Sequence, residues 1–168
     1  VLFAAEGDIW VSDFRQLSDT VWASPQINLA DVAEAKARGF AVIVNNRPDG
    51  ESLDQPPGAD IEAAAHAAGL AYVAIPIDHT GFNLDQVEAM VGALGHGPVL
   101  AFCRSGTRSI VTWSIGQATS GAMSRGELTD LGRAKALDDA CTLLASHLES
   151  HPHLELADVA TTLAPAIG

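Results

Sequence analysis

The feature that most restricts the fold is a repeated alternation of unbroken apolar runs with helix-like segments. Residues 40–44, 70–77 and 99–102 are short stretches rich in Val, Ile, Leu and Phe, with few or no polar positions. An apolar run of about 4–8 residues between turn signals reads as a strand buried on both faces. Residues 29–38, 60–68 and 84–94 carry helical patterning between and around these runs, and 107–117 follows the last run directly. Asn28 is placed to cap the first helix, Gly39 to end it, and Gly69 to end the second. Strands that alternate with helices need crossover connections, which give a parallel sheet with helices on both faces. The chain is therefore expected to be an α/β protein with a mostly parallel central sheet flanked by helices. Ahead of that pattern, Ile9-Trp10-Val11 and Val21-Trp22-Ala23 flank Ser18-Asp19 and read as an opening hairpin, with Trp10 and Trp22 packing on it.

The length of 168 residues favours one domain, and 48% hydrophobic against 18% charged residues supplies enough core for it. Residues 1–120 are expected to form the catalytic part and 121–168 a helical cap of the same domain. Within that cap, 127–148 is a long helical stretch, His151-Pro152-His153 interrupts it, and 156–163 forms a last short helix. A net charge of -12 argues against non-specific binding to nucleic-acid backbones or anionic membrane surfaces. No apolar run approaches the ~18 residues that span a bilayer. The opening residues, Val1 to Ala5, lack the basic region of a signal peptide. Cys103 and Cys141 form no CxxC pair, which suits free thiols in a reducing, cytoplasmic setting better than a disulfide framework or a zinc site. No cofactor is expected, and nothing in the pattern specifies an oligomeric state.

In open parallel sheets, ligands bind beyond the carboxyl ends of the strands. Three loops leave that edge, residues 45–51, 78–83 and 103–108, and they collect the polar side chains. The last belongs to Cys103-Arg104-Ser105-Gly106-Thr107-Arg108-Ser109. A strand delivers Cys103 to its end, a short loop turns at Gly106, and a helix begins. Backbone amides in such a turn, with the helix N-terminus behind them, favour negative charge, so a thiol there is expected to be held as thiolate. Cys103 is the candidate nucleophile, and Arg108 is spaced to fold back and pair with an oxyanion. Arg104, Ser105, Gly106 and Thr107 line the anion seat, and Ser109 is placed to hydrogen-bond the sulfur. Arg47 either adds positive charge at the rim or pairs with Asp49 or Glu51. Those two acids have no His or Cys beside them and read as a solvated loop rather than a metal site. Gln26 either faces the pocket or makes a structural hydrogen bond. Trp113 reads as core behind the loop and His66 as surface. His147, His151 and His153 lack the spacing of a strong metal site, and Cys141, inside a helix, reads as structural.

Four stretches carry a family resemblance: Phe14-Arg15-Gln16-Leu17-Ser18, Ser24-Pro25-Gln26-Ile27, Asn45-Asn46-Arg47-Pro48-Asp49-Gly50-Glu51 and the segment from Cys103 to Ser109. Over residues 9–118 the chain resembles the phosphatase-like domain of beta-lactamase hydrolase-like proteins, a family also described as sulfurtransferase. The resemblance implies a dual-specificity-phosphatase-like fold. Residues 78–84 are similar to the stretch where those enzymes carry a general acid, which implies that role for Asp78, with His79 as a second proton carrier.

The cysteine loop departs from the phosphatase pattern. Four residues separate Cys103 from Arg108, where phosphatases of that kind have five; the four-residue interval resembles rhodanese loops. A tighter cradle suits one sulfane sulfur on the thiolate. The first expectation is therefore a sulfurtransferase that forms a Cys103 persulfide and takes a small anionic or persulfide substrate. The alternative is a phosphatase working through a cysteinyl-phosphate, with Asp78 as general acid and base. A third reading is a non-catalytic sensor of anions or phosphorylated ligands.

Overall fold

The computed structural model describes residues 12–131, apart from 79, 125 and 129. Its elements run β1 (Arg15–Gln16), β2 (Val21–Ser24), α1 (Leu29–Ala37), β3 (Val42–Asn45), α2 (Gly58–Ala67), β4 (Ala71–Ala74), α3 (Leu84–Leu94), β5 (Val99–Phe102) and α4 (Thr107–Thr119). They build one sheet in the order β1-β2-β5-β3-β4. β1 is antiparallel to β2, and β2, β5, β3 and β4 are parallel.

Period-two alternation sorts the side chains of the two central strands. Ile43 of β3 and Leu100 and Phe102 of β5 face Val32, Ala35, Ile61 and Ala65 of α1 and α2. Val42 and Val44 of β3 and Val99 and Ala101 of β5 face the other way, against Met90 and Ala93 of α3. On that side, Ile110 and Trp113 of α4 pack with Leu17, Val21 and Ala23. Burial on both faces is why these strands read as continuous apolar runs.

The register positions the site. Ser24 is opposite Phe102, Phe102 is opposite Asn45, and Asn45 is opposite Ala74. Four parallel strands therefore end in one row, and the residues that follow them, Pro25, Cys103, Asn46 and Ile75, leave from one edge. Helix entry is set locally as well. Asn28 accepts from the amides of Ala30 and Asp31, while Asp31 accepts from the Asn28 amide, a reciprocal capping box.

Two expectations need correction. The hairpin pairs Val21–Ser24 with Arg15–Gln16; residues 9–11 lie outside the described residues. Residues 70–77 are not a strand buried on both faces, because β4 is the edge strand and its pattern runs from exposed to half-buried. Only Leu70, Ile75 and Ile77 of that run are buried. Of residues 121–168, expected to form a cap, the described ones are 121–131 apart from 125 and 129. The Ser124 amide donates to Glu127 Oε2 at 2.7 Å, and Leu128 packs with Leu17 and Trp113. Residues 132–168, including Cys141, His147, His151 and His153, lie outside the described residues.

Replacing Asn28 by Ala removes the acceptor for two helix amides and is expected to lower stability by about 1 kcal/mol. The measurement is a urea unfolding curve, with the midpoint reduced and the slope unchanged.

Candidate functional site

β5 ends at Phe102, and Cys103 is the first residue beyond it. Gly106 has φ +93 and turns its own amide back to Cys103 Sγ at 3.1 Å. A Cβ at this position would lie 3.4 Å from the carbonyl carbon and oxygen of Ser24, so the loop is pressed against the exit of β2. The Cys103 amide donates to Ser24 O at 3.4 Å and the Gln26 amide to Arg104 O at 3.2 Å, which stitches the two exits together. Glycine meets both demands here, a left-handed backbone and a close neighbour.

Gly106 also begins α4, and no side chain caps that end. The first amides of a helix have no intrahelical acceptor. Among them, Thr107 N–H reaches only Ser105 Oγ at 3.4 Å. The turn therefore combines donor amides and the positive end of a helix beside a sulfur, the arrangement that attracts an oxyanion. Ser105 Oγ donates to Thr107 Oγ1 at 3.0 Å, and Arg104 and Ser105 are exposed at the mouth.

Arg108 joins three of the edge loops. Its Nη1 donates to Glu51 Oε1 and to Ile77 O, both at 2.6 Å, and its Nη2 donates to Glu51 Oε2 at 2.8 Å. A guanidinium has five N–H donors in a plane. These three bonds leave Nε–H and one Nη2–H, which share an edge of that plane. Burial of Arg108 works against its charge, but the Glu51 carboxylate and the Cys103 sulfur outweigh it and raise its pKa further.

Glu51 holds a second guanidinium. Arg47 donates from Nε to Glu51 Oε2 at 2.8 Å, from Nη1 to Gln26 Oε1 at 2.9 Å and from Nη2 to Ser52 Oγ at 3.0 Å. Only 4% of the Arg47 side chain is exposed. Arg47 is thus a buried strut and not a free charge at the rim, and Gln26 makes the structural bond. The Arg108 hydrogen bond, assisted by Arg47 and opposed by partial burial, holds the Glu51 carboxyl below the usual glutamate range. Asp49 serves the fold: its Oδ1 accepts from the Gly58 amide at 2.8 Å and caps α2.

Asp78 is exposed and begins a turn, with Oδ1 accepting from the amide and hydroxyl of Thr80 at 2.8 and 2.5 Å. It directly follows Ile77, whose carbonyl Arg108 holds. His79 lies outside the described residues.

Three site expectations change. Cys103, expected at an open strand end, is fully buried. Ser109 does not reach the sulfur. Its Oγ is buried without a hydrogen-bond partner among the described residues, and the donor to the sulfur is the Gly106 amide. Glu51, read as a solvated loop acid or as a partner of Arg47, does pair with Arg47 and also holds Arg108, a contact the sequence did not indicate. Its signal in the sequence was faint: an acid four residues from Arg47, in a chain where every buried arginine needs a carboxylate.

A five-stranded sheet in this order, with a cysteine–arginine loop at the exit of the central strand, is a fold of the cysteine-dependent phosphatases. Residues 13–120 match the family described as beta-lactamase hydrolase-like protein, phosphatase-like domain, and the chain belongs to that family. It is 34% identical over 124 residues to a beta-lactamase hydrolase-like protein of Xylella fastidiosa, covering 73% of this chain and 29% of that protein. The chain thus spans less than a third of the length of such relatives. A candidate phosphatase from Neisseria meningitidis superposes with a TM-score of 0.68 at 28% identity, over 81% of this chain and 96% of that one. TpbA of P. aeruginosa, in complex with phosphotyrosine, gives 0.59 at 17% identity, over 93% of this chain and 91% of that one, and shows the shared fold.

Two outcomes follow for the loop. Gly106→Ala places a side chain on a left-handed residue and is expected to cost about 1–2 kcal/mol, read as a lower unfolding midpoint. The Glu51 pKa is depressed in the folded state, so its contribution is complete above the ordinary value of 4.5 and drains as pH falls through the folded value. Unfolding curves of wild type and Glu51→Gln at pH values on either side of 4.5 are expected to converge on the acid side.

Proposed function

We propose that this domain hydrolyses phosphate monoesters through Cys103. The observation that carries this reading is the double engagement of Arg108. It stands at the end of the loop that begins at Cys103, and its Nη1 holds the carbonyl of Ile77 at 2.6 Å, immediately before Asp78. One guanidinium thereby ties the nucleophile loop to the loop of the candidate acid. Membership of a phosphatase-like family and the phosphatase folds of its structural neighbours support the same reading.

In this mechanism the Cys103 thiolate attacks phosphorus and a P–S bond forms as the P–O ester bond breaks. Asp78 gives its proton to the departing alkoxide. Arg108, through Nε and its remaining Nη2–H, and the loop amides take the equatorial oxygens, where charge is held in the transition state. The Asp78 carboxylate then accepts a proton from water as that water attacks phosphorus. The P–S bond breaks, and inorganic phosphate and the thiolate are released. The exposed setting of Asp78 suits proton exchange with solvent.

Sulfur transfer is the second reading, and the four-residue interval between Cys103 and Arg108 favours it. There the thiolate would take a sulfane sulfur from thiosulfate, releasing sulfite, and cyanide would remove it as thiocyanate. No general acid is required. An anion-binding domain without catalysis is what remains if both fail.

The test is a paired assay of the reduced protein, with an aryl phosphate and, separately, thiosulfate plus cyanide. Phosphate release is expected, abolished in Cys103→Ser and reduced roughly 10²-fold or more in Asp78→Asn. Thiocyanate release that needs Cys103 but not Asp78, without phosphate release, would overturn the proposal in favour of sulfur transfer.

A further inference from the structure

We propose that Asn46 is a positioning residue for Asp78: its side-chain amide holds the exit of β4, so that the segment leading to the acid is fixed against the sheet. The part played in catalysis rests on the phosphomonoester reading; the part played in holding the exit does not.

The ladder between β3 and β4 breaks just before the acid. Asn45 is opposite Ala74, and the Ile75 amide still donates to Asn45 O at 2.8 Å. A regular parallel ladder would continue with the Arg47 amide donating to Ile75 O. The Arg47 amide instead turns back to Asn45 Oδ1 at 2.9 Å. Asn46 Nδ2 donates to Ile75 O at 3.1 Å in its place, and Asn46 O accepts from the Ile77 amide at 3.1 Å. A side-chain amide thus replaces the missing rung, and one residue grips the departing chain at two points. Asn46 is itself fastened to the central strand, since its own amide donates to Phe102 O at 2.8 Å.

The grip continues toward Asp78. Gln86 Nε2 of α3 donates to Pro76 O at 2.9 Å, and Arg108 Nη1 of α4 donates to Ile77 O at 2.6 Å. The carbonyls of residues 75, 76 and 77 are therefore each held by a side chain from a different part of the fold. Asn46 is fully buried, and its Oδ1 has no hydrogen-bond partner among the described residues. An unmet buried acceptor is unfavourable, and an apolar side chain would avoid it. What asparagine supplies there, and an apolar residue cannot, is the donor to Ile75 O.

The experiment uses the full chain with Asn46→Leu, close to Asn in size but without a donor, and Asn46→Ala, which needs less room. Each is made alone and together with Asp78→Asn. Values of kcat/KM are compared on phenyl phosphate, whose leaving group needs a proton, and nitrophenyl phosphate, whose leaving group needs it less. Hydrogen exchange of the Ile77 amide is followed by NMR.

Ile77 exchange is expected to quicken roughly tenfold or more in both variants. On phenyl phosphate, kcat/KM is expected to fall roughly tenfold or more, and on nitrophenyl phosphate by less than about threefold. In Asp78→Asn protein, either substitution is expected to cost less than about twofold further, because the residue acts through the acid. Equal losses on the two esters, or an undiminished loss in Asp78→Asn protein, would make Asn46 merely structural and overturn the proposal; so would unchanged Ile77 exchange. If wild type releases no phosphate, the hydrolytic reading fails, and faster Ile77 exchange in the variants still leaves Asn46 holding the exit.

Discussion

Everything at the candidate site depends on four parallel strands ending in register. Because Ser24, Phe102, Asn45 and Ala74 form one row, the chain leaves the sheet at one edge after β2, β5, β3 and β4. Loops that begin dozens of residues apart thus start within a few strand spacings of one another. The central strand contributes the cysteine, its neighbours contribute Gln26 and Arg47, and the edge strand leads to Asp78. A one-residue slip of β5 would turn Leu100 and Phe102 onto the opposite face and remove Cys103 from the Ser24 carbonyl. Packing on both faces of the sheet prevents that slip, so the hydrophobic core and the site are consequences of one register.

On that frame the site is a problem of charge. The chain carries 9 basic residues against 21 acidic ones. Two of those basic residues, Arg47 and Arg108, converge on a single carboxylate. A side chain as buried as Arg47 would be strongly destabilising without its partner, since an unpaired buried charge costs several kcal/mol. The pairing therefore stabilises the loop. Gly106 completes the arrangement by supplying an amide to the thiol from within the shortened loop.

Much of this was legible in the residues. The apolar runs at 40–44 and 99–102, the helix at 84–94 and the cap at Asn28 follow from periodicity and capping chemistry, which are local. Cys103 and Arg108 were legible because a strand, a glycine turn and a helix start occur within a few residues of each other. What escaped was non-local. Glu51 lies 57 positions from the arginine it holds, and nothing in the spacing announces that contact. The edge position of β4 escaped for a similar reason: an apolar sequence does not state which side of a sheet it joins. The partner of Val21–Ser24 escaped as well: Arg15 and Gln16 take that edge although tryptophan and β-branched residues at 9–11 have the higher strand propensity.

The central claim, that Cys103 carries a phosphoryl group during turnover, is open to a direct measurement. Asp78→Asn protein, in which breakdown of the intermediate lacks its base, is mixed with an aryl phosphate, quenched in acid within the first turnover, digested and weighed by mass spectrometry. The expected result is one phosphoryl group on the peptide containing Cys103, absent from the matching Cys103→Ser control. An unmodified Cys103 peptide, when phosphate has nevertheless been released, would contradict it.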